Sequence, residues 1–161
     1  MDFLYVTGCR PKEARTIEAR HLNGDLVIFP AEEAKGEVEP RVIYLVDQAE
    51  TILRRLAQRH PTGVLFRNSK GNPWTKDSIK CRLTRISKKV GFRVIAYGAR
   101  HSFATDALVK GGIDPISTAH LMGHRDTSMV AKVYSHIAKN PEFLRRQARA
   151  AHRANSQQET N

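Results

Sequence analysis

The segment MGHRDTSMVAKVYSHI, residues 122–137, sets His124 and Tyr134 ten positions apart among small and apolar residues, with His136 just behind. By itself it reads as an amphipathic surface segment. A tyrosine placed this way can also be a nucleophile, and that chemistry makes specific demands. A phenol has an unperturbed pKa near 10, so at neutral pH it attacks only when positioned and relieved of its proton. If its target is a phosphodiester, charge develops on the non-bridging oxygens, and planar guanidinium forks meet two such oxygens at once without ever losing their charge. The leaving 5′ oxygen needs a proton, which a lysine or a histidine can supply. The scheme calls for no metal ion and no cofactor.

The elements that would gather such groups are legible in outline. MDFLYVTG reads as the end of an apolar helix running into a turn, as though the chain began inside a larger parent. In RPKEARTIEARHLN, Pro11 suits a first helical turn and the acidic residues favour its positive end, which stands Arg10 at the start of a helix. DLVIFP and RVIYL are β-branched runs separated by the polar AEEAKGEVEP, predicting an antiparallel pair with Lys35 in the intervening loop. From Asp47 to His60, Ala49, Ile52, Leu53, Leu56 and Ala57 recur at helical spacing. Thr75 is placed to cap a helix whose Ile79, Leu83, Ile86 and Val90 face inward, with Lys76, Lys80, Arg82, Lys88 and Lys89 left outside as a basic face. Next come a helix with Phe103, Ala104, Ala107 and Leu108 on its apolar side and, past Gly111-Gly112, a helix opened by Asp114-Pro115. A basic helix within residues 139–154 begins at Pro141, and residues 155–161 form a polar, disordered tail. The expected fold is mainly α with a small antiparallel β-sheet, an α+β domain.

Composition narrows the partners. A chain of 161 residues is expected to build one core without disulfides. With 27 Lys plus Arg against 16 Asp plus Glu, the net charge of +11 attracts polyanions, and DNA is the first to consider. A membrane fits poorly, because there is no long apolar run, no signal-peptide layout and no basic helix with a broad aromatic face. Cys9 and Cys81 lack the spacing of a metal site or a disulfide framework, which predicts free thiols in a reducing, cytoplasmic setting.

Four stretches occur in order: TGCRPKEA from Thr7, AKGEVEPRVIYL from Ala34, YGARHSFATDAL from Tyr97 and LMGHRDTSMVAKVYSHI from Leu121. Each is weak alone. Together they resemble the catalytic domain of the tyrosine recombinases, or phage integrases, over residues 1–138. The resemblance implies that Arg10 and Arg100 bind the scissile phosphate, that Lys35 protonates the leaving oxygen, that His124 hydrogen-bonds the phosphate and that Tyr134 is the nucleophile. It further implies a covalent 3′-phosphotyrosyl intermediate whose stored bond energy permits rejoining without ATP. The basic face from Lys76 to Lys89 would then contact the DNA backbone, which positions a duplex without reading its sequence. Members of the family usually carry an N-terminal DNA-clamping domain and recombine as four protomers on two DNA sites, exchanging C-terminal segments. That makes the helix from Pro141 a candidate docking arm.

Two features depart from the family pattern. Tyr97 stands where most members have a histidine three residues before the second arginine; a phenol can donate to a phosphate but cannot shuttle protons near pH 7. Altered acid–base assistance, rather than abolished cleavage, is the expectation. The interval from His124 to Tyr134 is also one residue longer than usual, and a loose turn at Arg125-Asp126-Thr127 would absorb it. Two rivals share these residues: a type IB topoisomerase, and a DNA-binding remnant of a mobile element that no longer cuts.

Overall fold

The computed structural model describes residues 1–34, 36, 39–124, 135, 141–145 and 148–149. The elements are α1 (Asp2–Thr7), α2 (Pro11–Thr16), β1 (Leu22–Asn23), β2 (Leu26–Phe29), β3 (Arg41–Tyr44), α3 (Asp47–Arg59), α4 (Lys76–Val90), α5 (Ala96–Val109) and α6 (Pro115–Met122). The fold is therefore mostly helical with one small antiparallel sheet, ordered β1-β2-β3. Residues 141–145 are helical as well.

Periodicity explains most of this. On β2 and β3 the side chains alternate, so Val27 and Phe29 turn inward with Ile43, and Arg41 shares the buried face of β3. Val27 pairs with Ile43, and Phe29 with Arg41. Residues Phe3, Ile17, Ala49, Leu53 and Leu65 close over this sheet face to make the main core. Instead of the single core expected, a second, smaller cluster of Ala104, Leu108, Ala119 and Met122 sits between α5 and α6, flanked by Phe103. The α5–α6 hairpin is apolar on its facing sides and buries them against each other.

The helix opened by Pro11 ends early, at Thr16. Ile17 is extended and fully buried, and its carbonyl accepts from Leu65 N–H at 2.8 Å. That bridge takes the backbone group a longer helix would need. On α4, Thr75 caps as expected, its hydroxyl accepting from Ser78 N–H at 3.1 Å. Leu83 is buried and Ile79 and Ile86 are half-buried. Val90 is not inward: it is 46% exposed. The helix stops at Gly91 in the left-handed region, and Ser87, one turn earlier, ties down the returning chain by accepting from Val94 N–H at 2.8 Å, which leaves Val90 at the exposed end of the helix.

Helix α1 lies against α5, where Tyr5 Oη donates to Asp106 Oδ2 at 2.5 Å. At its end Gly8 adopts φ 61°, and a Cβ there would fall 2.3 Å from Phe103 Cδ1. The Gly8→Ala variant thus combines left-handed strain with overpacking, an expected loss of roughly 2–5 kcal/mol. For a chain of this size that is a fall in Tm of about 5–15 °C, to be read by thermal denaturation.

Candidate phosphate-binding site

Arg100 falls on the stripe of α5 that also carries Ala104, Ala107 and Leu108, and it is only 4% exposed. A guanidinium so deep must be hydrogen-bonded. Its Nη1 donates to the Gly8 carbonyl at 2.5 Å, and its Nη2 donates to the Met122 carbonyl at 2.8 Å and meets His124 Nε2 at 2.7 Å. Because a guanidinium only donates, Nε2 must accept there, which leaves the ring proton on Nδ1.

Arg10 precedes the first turn of α2, and its backbone N–H donates to Glu13 Oε2 at 2.6 Å. Its side chain doubles back the same way: Nη1 donates to Glu13 Oε1 at 2.6 Å and Nη2 to the Gly123 carbonyl at 2.5 Å. A third guanidinium arrives from β3. Arg41 Nη2 donates to the Leu121 carbonyl at 3.0 Å, its Nη1 to the Val42 carbonyl, and its Nε lies 3.4 Å from Glu13 Oε1. Three consecutive carbonyls, those of Leu121, Met122 and Gly123, are thus each held by a different arginine.

The end of α6 is suited to this. A helix C-terminus carries partial negative charge and unsatisfied carbonyls. Gly123 caps α6 at φ 68°, its N–H donating to the His120 carbonyl at 2.8 Å, and His124 N–H reaches back to the Ala119 carbonyl at 2.9 Å. This turn delivers the His124 ring to Arg100. Electrostatically the cluster is unbalanced among the described residues, since the Glu13 carboxylate pairs with two of the three guanidiniums, Arg10 and Arg41. Burial first, and then the neighbouring Arg10 charge, push Arg100 down to about 10, so it stays charged at neutral pH; burial lowers Arg41 too. Surplus positive charge in a partly desolvated setting is an invitation to an anion.

The space for one is a cavity of about 290 Å³ bordered by Arg10, Lys12 and Arg41, by the carboxylates Glu13 and Glu33, and by Tyr97. Tyr97, in the first turn of α5, is 54% exposed and shares this cavity with Arg10. Ala34, the neighbour of Lys35 in sequence, lines it as well. Lys35 and Tyr134 themselves lie outside the described residues. Of the expected site residues, then, Arg10, Arg100 and His124 come together at the end of α6, and Arg10 and Tyr97 border the cavity, which Arg100 and His124 do not line.

All five basic residues singled out on α4 are exposed. Lys76, Lys80 and Lys88 border a cleft of about 950 Å³ together with Lys12, Arg15 and Tyr97. Arg82 borders an adjoining hollow beside Phe66 and Trp74 that shares Pro11, Arg15, Ile79 and Leu83 with the cleft, and Lys89 borders neither. The cleft shares Lys12 and Tyr97 with the guanidinium cavity. Sequence reading missed Glu13 and Arg41. Glu13 reads as an ordinary first-turn acid, and Arg41 as a surface charge opening a strand, although strict alternation with Ile43 was the available signal that it points inward.

Cys9, between Gly8 and Arg10, is fully buried, and burial pushes its thiol up to about 11, whereas Cys81 on α4 is exposed. At pH 8 about one Cys9 in a thousand would be thiolate, on top of its inaccessibility. Iodoacetamide is expected to label Cys81 alone in the folded chain and both thiols after unfolding, as read by mass spectrometry. Among the described residues, no cluster of His, Cys, Asp and Glu could hold a metal ion, and no helix is long and apolar enough to cross a membrane.

Known proteins resemble this chain in sequence and in fold. The sequence is 29% identical over 153 residues to the tyrosine recombinase XerD of Staphylococcus aureus, a match covering 87% of this chain and 50% of that protein. XerD of Staphylococcus saprophyticus matches to the same extent. The chain spans about half the length of the curated relatives it matches. In fold it is similar to the Tn1549 transposon integrase in complex with transposon right end DNA (TM-score 0.69, 19% identity, 83% of this chain and 52% of that one). It is likewise similar to the XerA recombinase (TM-score 0.67, 19% identity, 92% of this chain and 54% of that one). The sequence model of the phage integrase family matches residues 1–141, and with a match over most of its length the chain belongs to that family.

Proposed function

We infer that this chain is the catalytic domain, over residues 1–138, of a site-specific DNA recombinase that cuts and rejoins strands through a 3′-phosphotyrosyl intermediate. The observation that carries the reading is the convergence of Arg10, Arg100 and His124, drawn from positions up to 114 residues apart, on one turn beside one cavity. In this scheme Arg10 and Arg100 bind the non-bridging oxygens and His124 adds a hydrogen bond. Tyr134 attacks phosphorus, and the bond to the 5′ oxygen breaks as Lys35 delivers a proton to it. Tyr97 donates a hydrogen bond where most relatives have an imidazole. The products of the first step are a phosphotyrosyl ester and a free 5′ hydroxyl, and a hydroxyl from another strand reverses it.

DNA is the proposed partner. Lys76, Lys80 and Lys88, with Lys12 and Arg15, would follow its backbone towards the cavity, while Arg82 and Lys89 contribute from outside that cleft. Joined to an N-terminal clamping domain, the protein would act in the cytoplasm as a tetramer on two DNA sites, with the segment from Pro141 as the arm between neighbours. The test is a nicked duplex from which the cut fragment dissociates, so that an active enzyme is trapped as a covalent adduct. Adduct formed by this chain, alone or fused to the clamping domain of a relative, supports the reading. Tight binding without adduct in the fused form favours the non-cleaving remnant, and relaxation of supercoils without strand exchange favours the topoisomerase.

A further inference from the structure

Of the three guanidiniums on the 121–123 turn, two have a role at the phosphate in the scheme above. Arg41 has none, yet it is as deeply placed. The alternation of β3 carries it inward alongside Ile43, opposite Phe29. An apolar residue at such a position ordinarily packs at less cost to stability than a buried charge, so what Arg41 holds is the question. Its Nη2 grips the Leu121 carbonyl at 3.0 Å, and its Nε faces Glu13 Oε1 at 3.4 Å. That same carboxylate oxygen receives Arg10 Nη1 at 2.6 Å. The Arg41 fork also packs directly on Gly123: a Cβ there would fall 2.5 Å from Arg41 Cζ and Nε. One side chain therefore connects the turn that presents His124 to the carboxylate that aims Arg10.

We propose that Arg41 is a positioning residue of the phosphate site, locking the α6 turn to Glu13 so that Arg10, Arg100 and His124 face a single anion. It acts through geometry and not by reading DNA. The proposal rests on the phosphate-binding reading of Arg10, Arg100 and His124, and its test separates the two.

Arg41→Met keeps an unbranched apolar stem without donors, and Arg41→Lys keeps the charge without the fork. In the adduct assay, with circular dichroism as the fold check, Arg41→Met is expected to slow adduct formation at saturating duplex about 100-fold, while the half-saturating duplex concentration stays within about threefold. Arg41→Lys is expected to recover about tenfold of that loss. A wild-type rate in either variant, or a loss confined to half-saturation, overturns the proposal. If Arg41→Met does not fold, Arg41→Lys decides alone, with a rate about tenfold below wild type expected and a wild-type rate fatal. A second arm needs no cleavage. Inorganic phosphate, titrated at constant ionic strength, is expected to raise the Tm of the wild-type chain and to raise that of the Arg41 variants less than half as much; equal shifts overturn the proposal. A wild-type protein that gives no adduct even when fused to the clamping domain of a relative, but shows the phosphate difference, refutes the recombinase reading and supports the role of Arg41.

Discussion

Tyr134→Phe is expected to give no covalent adduct on a nicked duplex, a loss of at least about 10⁴-fold, while the duplex is bound as before. The substitution removes a single oxygen and keeps the ring, so the change reports on the nucleophile rather than on bulk or charge. Neither arginines nor histidine can substitute for it, since they stabilise charge that develops only once attack has begun. The chain has four tyrosines, and the other three offer a clear contrast. Tyr5 donates to Asp106, whose hydrogen bond and charge raise its pKa and make it harder to ionise. Tyr44 is exposed on the outer face of β3. Tyr97 alone borders the guanidinium cavity. An adduct surviving in Tyr134→Phe, with the label mapped to Tyr97 by peptide mass spectrometry, would replace the proposed nucleophile and keep the rest of the site.

The second large effect belongs to Arg100. Three of its N–H bonds go to Gly8, Met122 and His124, which leaves two of the five donors for an anion. Arg100→Lys preserves the charge, but a compact ammonium on a shorter reach cannot span three acceptors and a phosphate together. Adduct formation is expected to fall about 10²–10³-fold, the usual consequence of removing a preorganised donor from developing charge. Stability should fall as well, because each buried carbonyl left without a donor costs about 1–3 kcal/mol. Two opposing terms set the net change. Relief of repulsion among Arg10, Arg41 and Arg100 is absent in the lysine variant, so Arg100→Lys should be less stable than Arg100→Met by that measure, yet retain more affinity for DNA. Adduct kinetics and thermal denaturation of the pair read both. Activity within tenfold of wild type in Arg100→Lys would show that charge alone suffices and that the fork is incidental.

Much of the scaffold could be read from local order. The α3 stripe and the cap of α4 at Thr75 depend on residues three or four apart, and so does the opening of α6 at Asp114, whose carboxylate accepts from Ile116 N–H and Ser117 N–H. Interactions of that range are written into neighbouring letters. Where the reading missed, a contact outside the helix's own periodicity decided. The α2 helix stops because Ile17 pairs with Leu65, and Val90 stays exposed because the chain beyond Gly91 folds back through Ser87 and Val94.

The candidate site divides along the same line. The order of the four motifs, the surplus of positive charge and the identities of Arg10, Arg100, His124 and Tyr134 belong to the sequence itself, since residue type alone sets which groups can hold a phosphate and which can attack it. That Arg10, Arg41 and Arg100 close on three successive carbonyls, with Glu13 between two of them, belongs to the tertiary structure. No spacing along the chain encodes it, because the contacts bring β3, α2 and α5 to the end of α6. Only packing of those elements against shared cores sets the ångström-scale distances on which hydrogen bonding depends.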